Sequence, residues 1–129
     1  MIVVDDRLSL DVLSGRLVDG PYATTWGFHY RLVRALIDDS VAGRLSRAAD
    51  EEVRSVVAHP PRDRLVVLDP REFTGLAAEI SVRHGLNLLA AEMVAAAVHH
   101  EAELYLSAPN VGRSWPAVLN AEAVRLTVF

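Results

Sequence analysis

The chain contains no cysteine and no lysine. Without cysteine there is no disulfide framework, no thiolate metal site and no cysteine nucleophile, which is compatible with a reducing compartment. All 13 basic residues are therefore arginine. Heavy use of Ala, Val and Arg with no Lys points to a GC-rich bacterial genome. No uncharged apolar run reaches the roughly 18 residues of a membrane span. Met1 leads straight into I-V-V-D-D, with no basic segment followed by a long apolar region. A soluble, cytoplasmic protein with no membrane association is expected. The formal charge of −4 argues against a general polyanion-binding surface, but leaves room for a local patch such as Arg31 and Arg34, one helical turn apart. Between Asp19 and Asp38 there is no acidic residue at all.

What is present is apolar. A hydrophobic content of 51% over 129 residues describes a folded domain with a real core, and residues 1–129 read as one domain. Ile2-Val3-Val4 is a continuous apolar run ending at Asp5, the pattern of a buried parallel strand with an acid at its carboxyl end. Asp6 is placed to cap the next helix, and Gly15 to stop it. After a turn at Asp19-Gly20-Pro21, a helix is expected from Thr25, with Trp26, Tyr30, Val33 and Ile37 on one face, interrupted at Asp38-Asp39-Ser40. That face reads as core or as a self-association surface rather than a base-stacking platform. Residues 41–57 read as two short helical pieces starting near Ser46 or Asp50, closed by His59-Pro60-Pro61. Arg64 to Leu68 is a second strand, and Asp69-Pro70 a helix start with the acid as cap. His84-Gly85 closes that helix. Ser114-Trp115-Pro116 opens a last short helix, and Val124 to Val128 reads as a final strand.

Residues 87–110, N-L-L-A-A-E-M-V-A-A-A-V-H-H-E-A-E-L-Y-L-S-A-P-N, organise the rest. A helix that is small and apolar nearly all round belongs inside a domain. It carries one acid, Glu92, which must be paired, solvated in a pocket or protonated. The strand 103–107 that follows ends in Ser107, with Asn110 just beyond. Adjacent His99 and His100 face different directions on a helix and lack a partner four residues away, so no metal site is expected there. Strands alternating with helices imply a three-layer α/β/α sandwich with a mainly parallel sheet, whose sites form beyond the carboxyl ends of the strands. A response-regulator type of α/β domain would need a phospho-accepting Asp together with a Lys, and no Lys exists here.

The N-terminal M-I-V-V-D-D-R-L-S-L-D-V-L resembles the opening of PIN domains, where an apolar strand ends in an Asp and a helix follows. L-V-V-L-D-P-R-E-F-T-G-L-A-A-E-I-S-V-R-H-G-L-N-L-L-A-A-E-M-V-A-A-A-V resembles their second half, with strand, helix and an acid-bearing small-residue helix in that order. E-L-Y-L-S-A-P-N, a helix and A-V-R-L-T-V resemble the end. The likeness covers nearly the whole chain and is greatest to the short single-domain members typified by VapC toxins.

The resemblance implies Mg2+- or Mn2+-dependent cleavage of RNA by three or four clustered carboxylates. Such hard cations take oxygen ligands, acidify a bound water and neutralise charge on phosphorus. Asp5 matches the family's first acid. The second lies three residues after a Thr, which from Thr25 is Phe28. Glu92 stands where the family has an Asp. The fourth follows a Thr by two residues; here Ser107 takes the Thr place and Pro109 the acid's, with Asn110 beside it. The expected reading is a partly eroded site with Asp5 and Glu92 as catalytic and metal-holding residues, assisted by Asn110 and Ser107. The alternative is a catalytically silent binding or oligomerisation module. An antitoxin partner and a homodimer are further implications of the resemblance.

Overall fold

The structure, a computed structural model, describes residues 1–41 and 47–129, with side chains described for all of these except 39–41 and 47–50. Five strands form one sheet: β1 (Ile2–Val4), β2 (Tyr22–Thr24), β3 (Leu65–Val67), β4 (Glu103–Leu106) and β5 (Leu126–Val128). Their order is β3-β2-β1-β4-β5, and every pairing is parallel. Six helices connect and cover them: α1 (Asp6–Leu13), α2 (Trp26–Val41), α3 (Arg47–Ala58), α4 (Thr74–His84), α5 (Leu88–His99) and α6 (Trp115–Ala121). The fold is the expected three-layer α/β/α sandwich, its sheet wholly rather than mainly parallel.

A parallel sheet covered on both faces needs apolar side chains in both directions, which is why its strands read as unbroken runs. Alternation assigns Val3, Ala23, Leu104 and Leu106 to the core beneath α4, α5 and α6. Val4, Tyr22 and Leu65 face the core formed with α1, α2 and α3. On the first side Met93, Val94, Ala95 and Ala96 of α5 are all fully buried. Covering one Met or Val side chain stabilises by about 1.5–3 kcal/mol, and the alanines between them let the helix lie close to the sheet.

Several local expectations change. β2 has only three residues after a turn, too short for a periodic signal; its pairings with Ile2 on one side and Leu65 on the other create it. α2 continues to Val41 through Asp38-Asp39-Ser40. Their poor helix propensity amounts to about 0.5 kcal/mol per residue and is outweighed by the packed stripe Phe28, Leu32 and Leu36. That stripe, not Trp26, Tyr30 and Ile37, is the inward face; those three are exposed. α3 is one helix from Arg47, so Asp50 does not start it, and the proposed start at Ser46 lies outside the described residues. Asp69 caps a single 3-10 turn (Pro70–Glu72), accepting from the Arg71 amide, rather than a long helix. Phe73, at φ −138°, turns its ring into the core before α4 begins.

Both glycine stops are confirmed by left-handed backbone, at Gly15 (φ 82°) and Gly85 (φ 67°), where a Cβ is disfavoured. Asn87 caps α5 by accepting from the Ala90 amide at 2.9 Å. No described helix is long and apolar enough to cross a membrane.

Candidate functional site

From β1 the chain builds β2 and β3 on one side of the sheet, then returns to build β4 and β5 on the other. The strand order therefore reverses between β1 and β4. Connections leave this switch point in opposite directions, opening a crevice at the carboxyl ends of the strands. Asp5 directly follows β1 and Ser107 directly follows β4, so backbone topology alone brings them together across 102 positions of chain.

Asp5 is completely buried. Its Oδ1 accepts from the Leu8 amide at 3.0 Å, so Asp5, not Asp6, is the cap of α1. Its Oδ2 accepts from the Ser107 amide at 2.7 Å, the Ser107 hydroxyl at 2.6 Å and the Asn110 Nδ2 at 2.8 Å. These four donors leave the buried charge fully solvated by protein, the condition for tolerating a carboxylate inside a fold. Asp6 extends the network. Its Oδ1 accepts from Asn110 Nδ2 at 2.9 Å, and its Oδ2 lies 3.2 Å from Arg31 Nε. Arg31, which the sequence offers as one half of a local arginine patch, is thus engaged by an acid of its own chain. Nothing local in the sequence signals that pairing, because α1 and α2 meet only through the fold.

Glu92 is buried too, but on different partners. Its Oε1 accepts from the Gly27 amide at 2.8 Å, in the first turn of α2. A helix begins with amides that lack intrahelical acceptors and carries a partial positive charge there, so a carboxylate is favoured. Thr25 Oγ1 also accepts at this end, 3.5 Å from the Phe28 amide. Gly27 is what lets α5 approach: a Cβ on it would stand 3.0 Å from Leu89 Cδ1 and 3.3 Å from Glu92 Oε1. Glu92 lies in the second turn of α5 and serves a neighbouring helix rather than its own.

The structure thus joins three of the four expected site residues, Asp5, Ser107 and Asn110, in one hydrogen-bonded network, while Glu92 accepts from the first turn of α2. Phe28 occupies the second acid's place, its ring in the core. Pro109 lies exposed in the 3-10 turn Ala108–Asn110. A magnesium ion takes octahedral oxygen ligands at about 2.0–2.1 Å and keeps several waters. Here Ser107 and Asn110 direct hydrogens, not lone pairs, at Asp5. Among the described residues, neither Asp5, Asp6 nor Glu92 belongs to any group of three clustered metal-ligating side chains. This arrangement does not fit Mg2+ or Mn2+. What it does chemically is tie the carboxyl ends of two central strands to the starts of α1 and α2.

No protein-family model matches the sequence, and no curated protein matches it. Among solved structures, the chain is similar to a chain of a toxin–antitoxin complex from Klebsiella pneumoniae, with a TM-score of 0.54 and 13% identity, over 81% of this chain and 84% of that one. At that identity the likeness is one of fold.

Proposed function

We propose that this chain is a PIN-like binding module of the toxin–antitoxin kind, in which the strand-end acids hold the fold together instead of a catalytic ion. The observation that carries this reading is the Asp5 carboxylate, satisfied by four donors of its own chain. The similarity in fold to a chain of a toxin–antitoxin complex supports an antitoxin-type protein as partner. The contact surface is the outer face of α2. There Trp26 and Tyr30, each 54% exposed, stack with centroids 5.6 Å apart, and Ile37 is exposed farther along the helix. Exposed aromatic anchors of this kind favour protein partners, including a second copy of the chain.

The test pairs melting with RNA incubation. Millimolar Mg2+ or Mn2+ is expected to leave Tm unchanged, because only a ligand that binds the native state raises it, and RNA is expected to stay intact. Divalent-dependent RNA cleavage that disappears in Asp5→Asn would overturn the reading.

That outcome would favour the second reading, a residual endoribonuclease resembling VapC toxins, with Asp5 and Glu92 as ion ligands and Asn110 and Ser107 assisting. One observation supports it: Asp5 and Ser107 sit at the topological switch point, where open α/β sheets build their sites.

A further inference from the structure

His99 ends α5 and His100 follows as its C-cap, with φ −92° and ψ 2°. Two adjacent residues inside a helix point about 100° apart, which is why the sequence offers no reason to pair them. Leaving the helix at His100 swings the second ring back. The two imidazoles meet edge to face, with centroids 4.8 Å apart and an interplanar angle of 85°. Phe73, itself buried, backs both rings at 6.1 and 6.2 Å. Because Phe73 breaks the chain away from helix before α4, the preceding residue, Glu72, is held at the end of the 3-10 turn beside the histidines.

The ligand atoms of Glu72, His99 and His100 all lie within 4.8 Å of one another. His100 Nε2 stands 3.4 Å from Glu72 Oε2, and His99 Nε2 stands 4.0 Å from the same oxygen. In a tetrahedral site with bonds of about 2.0–2.1 Å, neighbouring ligand atoms are about 3.3–3.4 Å apart. The Glu72–His100 edge already has that length. The Glu72–His99 edge is longer, at 4.0 Å, and the His99 side chain is 43% exposed. An ordinary His–Glu ion pair would aim an N–H along the line to the oxygen. His100 Nε2 makes no such hydrogen bond although the atom is buried, so a ring nitrogen is directed into the cluster without a partner.

We propose that Glu72, His99 and His100 form a binding site for one divalent transition ion of the borderline class represented by Zn2+, with a water completing its coordination. Two imidazoles and one carboxylate suit such an ion and not Mg2+, which prefers oxygen alone. The site stands apart from the Asp5 network and does not depend on the reading of that network. Its ion cross-links the β3–α4 connection to the carboxyl end of α5.

The test uses the full chain, free of any histidine tag and treated with chelator, titrated with ZnCl2 by calorimetry and followed by thermal melting. One ion per chain is expected, with a Tm rise of several degrees at a free Zn2+ concentration about 100-fold above Kd, and no rise with MgCl2. Glu72→Gln and His99→Ala change half-exposed side chains. Each is expected to weaken Zn2+ binding at least about tenfold, since losing even an outer-shell partner commonly costs that much. Equal Zn2+ affinity in wild type and both variants would place the ion at other histidines and overturn the proposal, as would a wild type that binds no Zn2+. Co2+ serves as an independent readout that does not rely on the variants' stability. Strong visible absorption of a four-coordinate ion in the wild type supports the site, whereas only the weak absorption of six-coordinate Co2+ overturns it.

Discussion

Glu92 and Gly27 are separated by 65 positions in the chain and by a 2.8 Å hydrogen bond in the fold. The carboxylate of a helix buried against the sheet thereby finishes the amino end of another helix. The fit is close: a Cβ on residue 27 would stand 3.0 Å from Leu89 Cδ1 and 3.3 Å from Glu92 Oε1.

Removing either partner tests that relationship. Glu92→Ala leaves the Gly27 amide without its acceptor in a largely buried place and is expected to cost about 1–3 kcal/mol. Glu92→Gln keeps an acceptor but loses the charge at the helix end, and is expected to cost about 0.5–1 kcal/mol. Urea midpoints at neutral pH measure both.

Two glycines in helices should respond oppositely to alanine. At Gly75, in α4, an added Cβ meets nothing within 4 Å, so Gly75→Ala should stabilise by about 0.5–1 kcal/mol. Gly27→Ala offers the same propensity gain but presses on Leu89 and Glu92, so it should be neutral or destabilising. A clear rise in the midpoint for Gly27→Ala would show that α5 and α2 are not packed as described.

Asp5 should matter for stability. Asp5→Asn turns an amide group toward either the Leu8 amide or the three donors on Oδ2. Unpaired buried polar groups cost about 1–3 kcal/mol each, so a loss of about 2–4 kcal/mol is expected. Equilibrium unfolding that matches the wild type would remove Asp5 from its structural role.

A pH dependence should arise at His29. Burial lowers its pKa from the ordinary 6.5, assisted by nearby His59 and opposed by a hydrogen bond with the Ala58 backbone. The unfolded chain therefore binds a proton more readily than the folded one. The associated stability is present above pH 6.5 and is lost as pH falls from there through the lowered value of the folded state. Midpoints measured from pH 8 down to about 5 should fall more for the wild type than for His29→Gln, with the two curves parallel at the alkaline end.

Ala123 adopts φ 56°, a left-handed conformation that disfavours a Cβ. Ala123→Gly should therefore stabilise the protein by up to about 1 kcal/mol, despite the greater entropy of the unfolded glycine chain. Thermal melting would read this as a rise of a few degrees, and a fall would show that the turn is not strained.

The sequence alone determined the layer architecture, because doubly covered strands and one-sided helices leave different apolar patterns. Ile2 to Val4, Leu65 to Val67 and the alanine-rich α5 were legible for that reason, as were the stops at Gly15 and Gly85, where backbone geometry favours glycine. It also marked Asp5, Ser107 and Asn110 as chemically interesting through their places at strand ends. Only the tertiary structure decided what those groups do. β2 exists through its neighbours, the inward face of α2 follows from packing, and the partners of Asp5, Glu92 and Glu72 come from distant chain segments. Hydrogen bonds and ligand clusters depend on the direction of single atoms to within tenths of an ångström. Periodicity specifies a face and no more, so it could place Glu92 inside the domain but could not find Gly27, and it set His99 and His100 apart where the end of a helix brings them together.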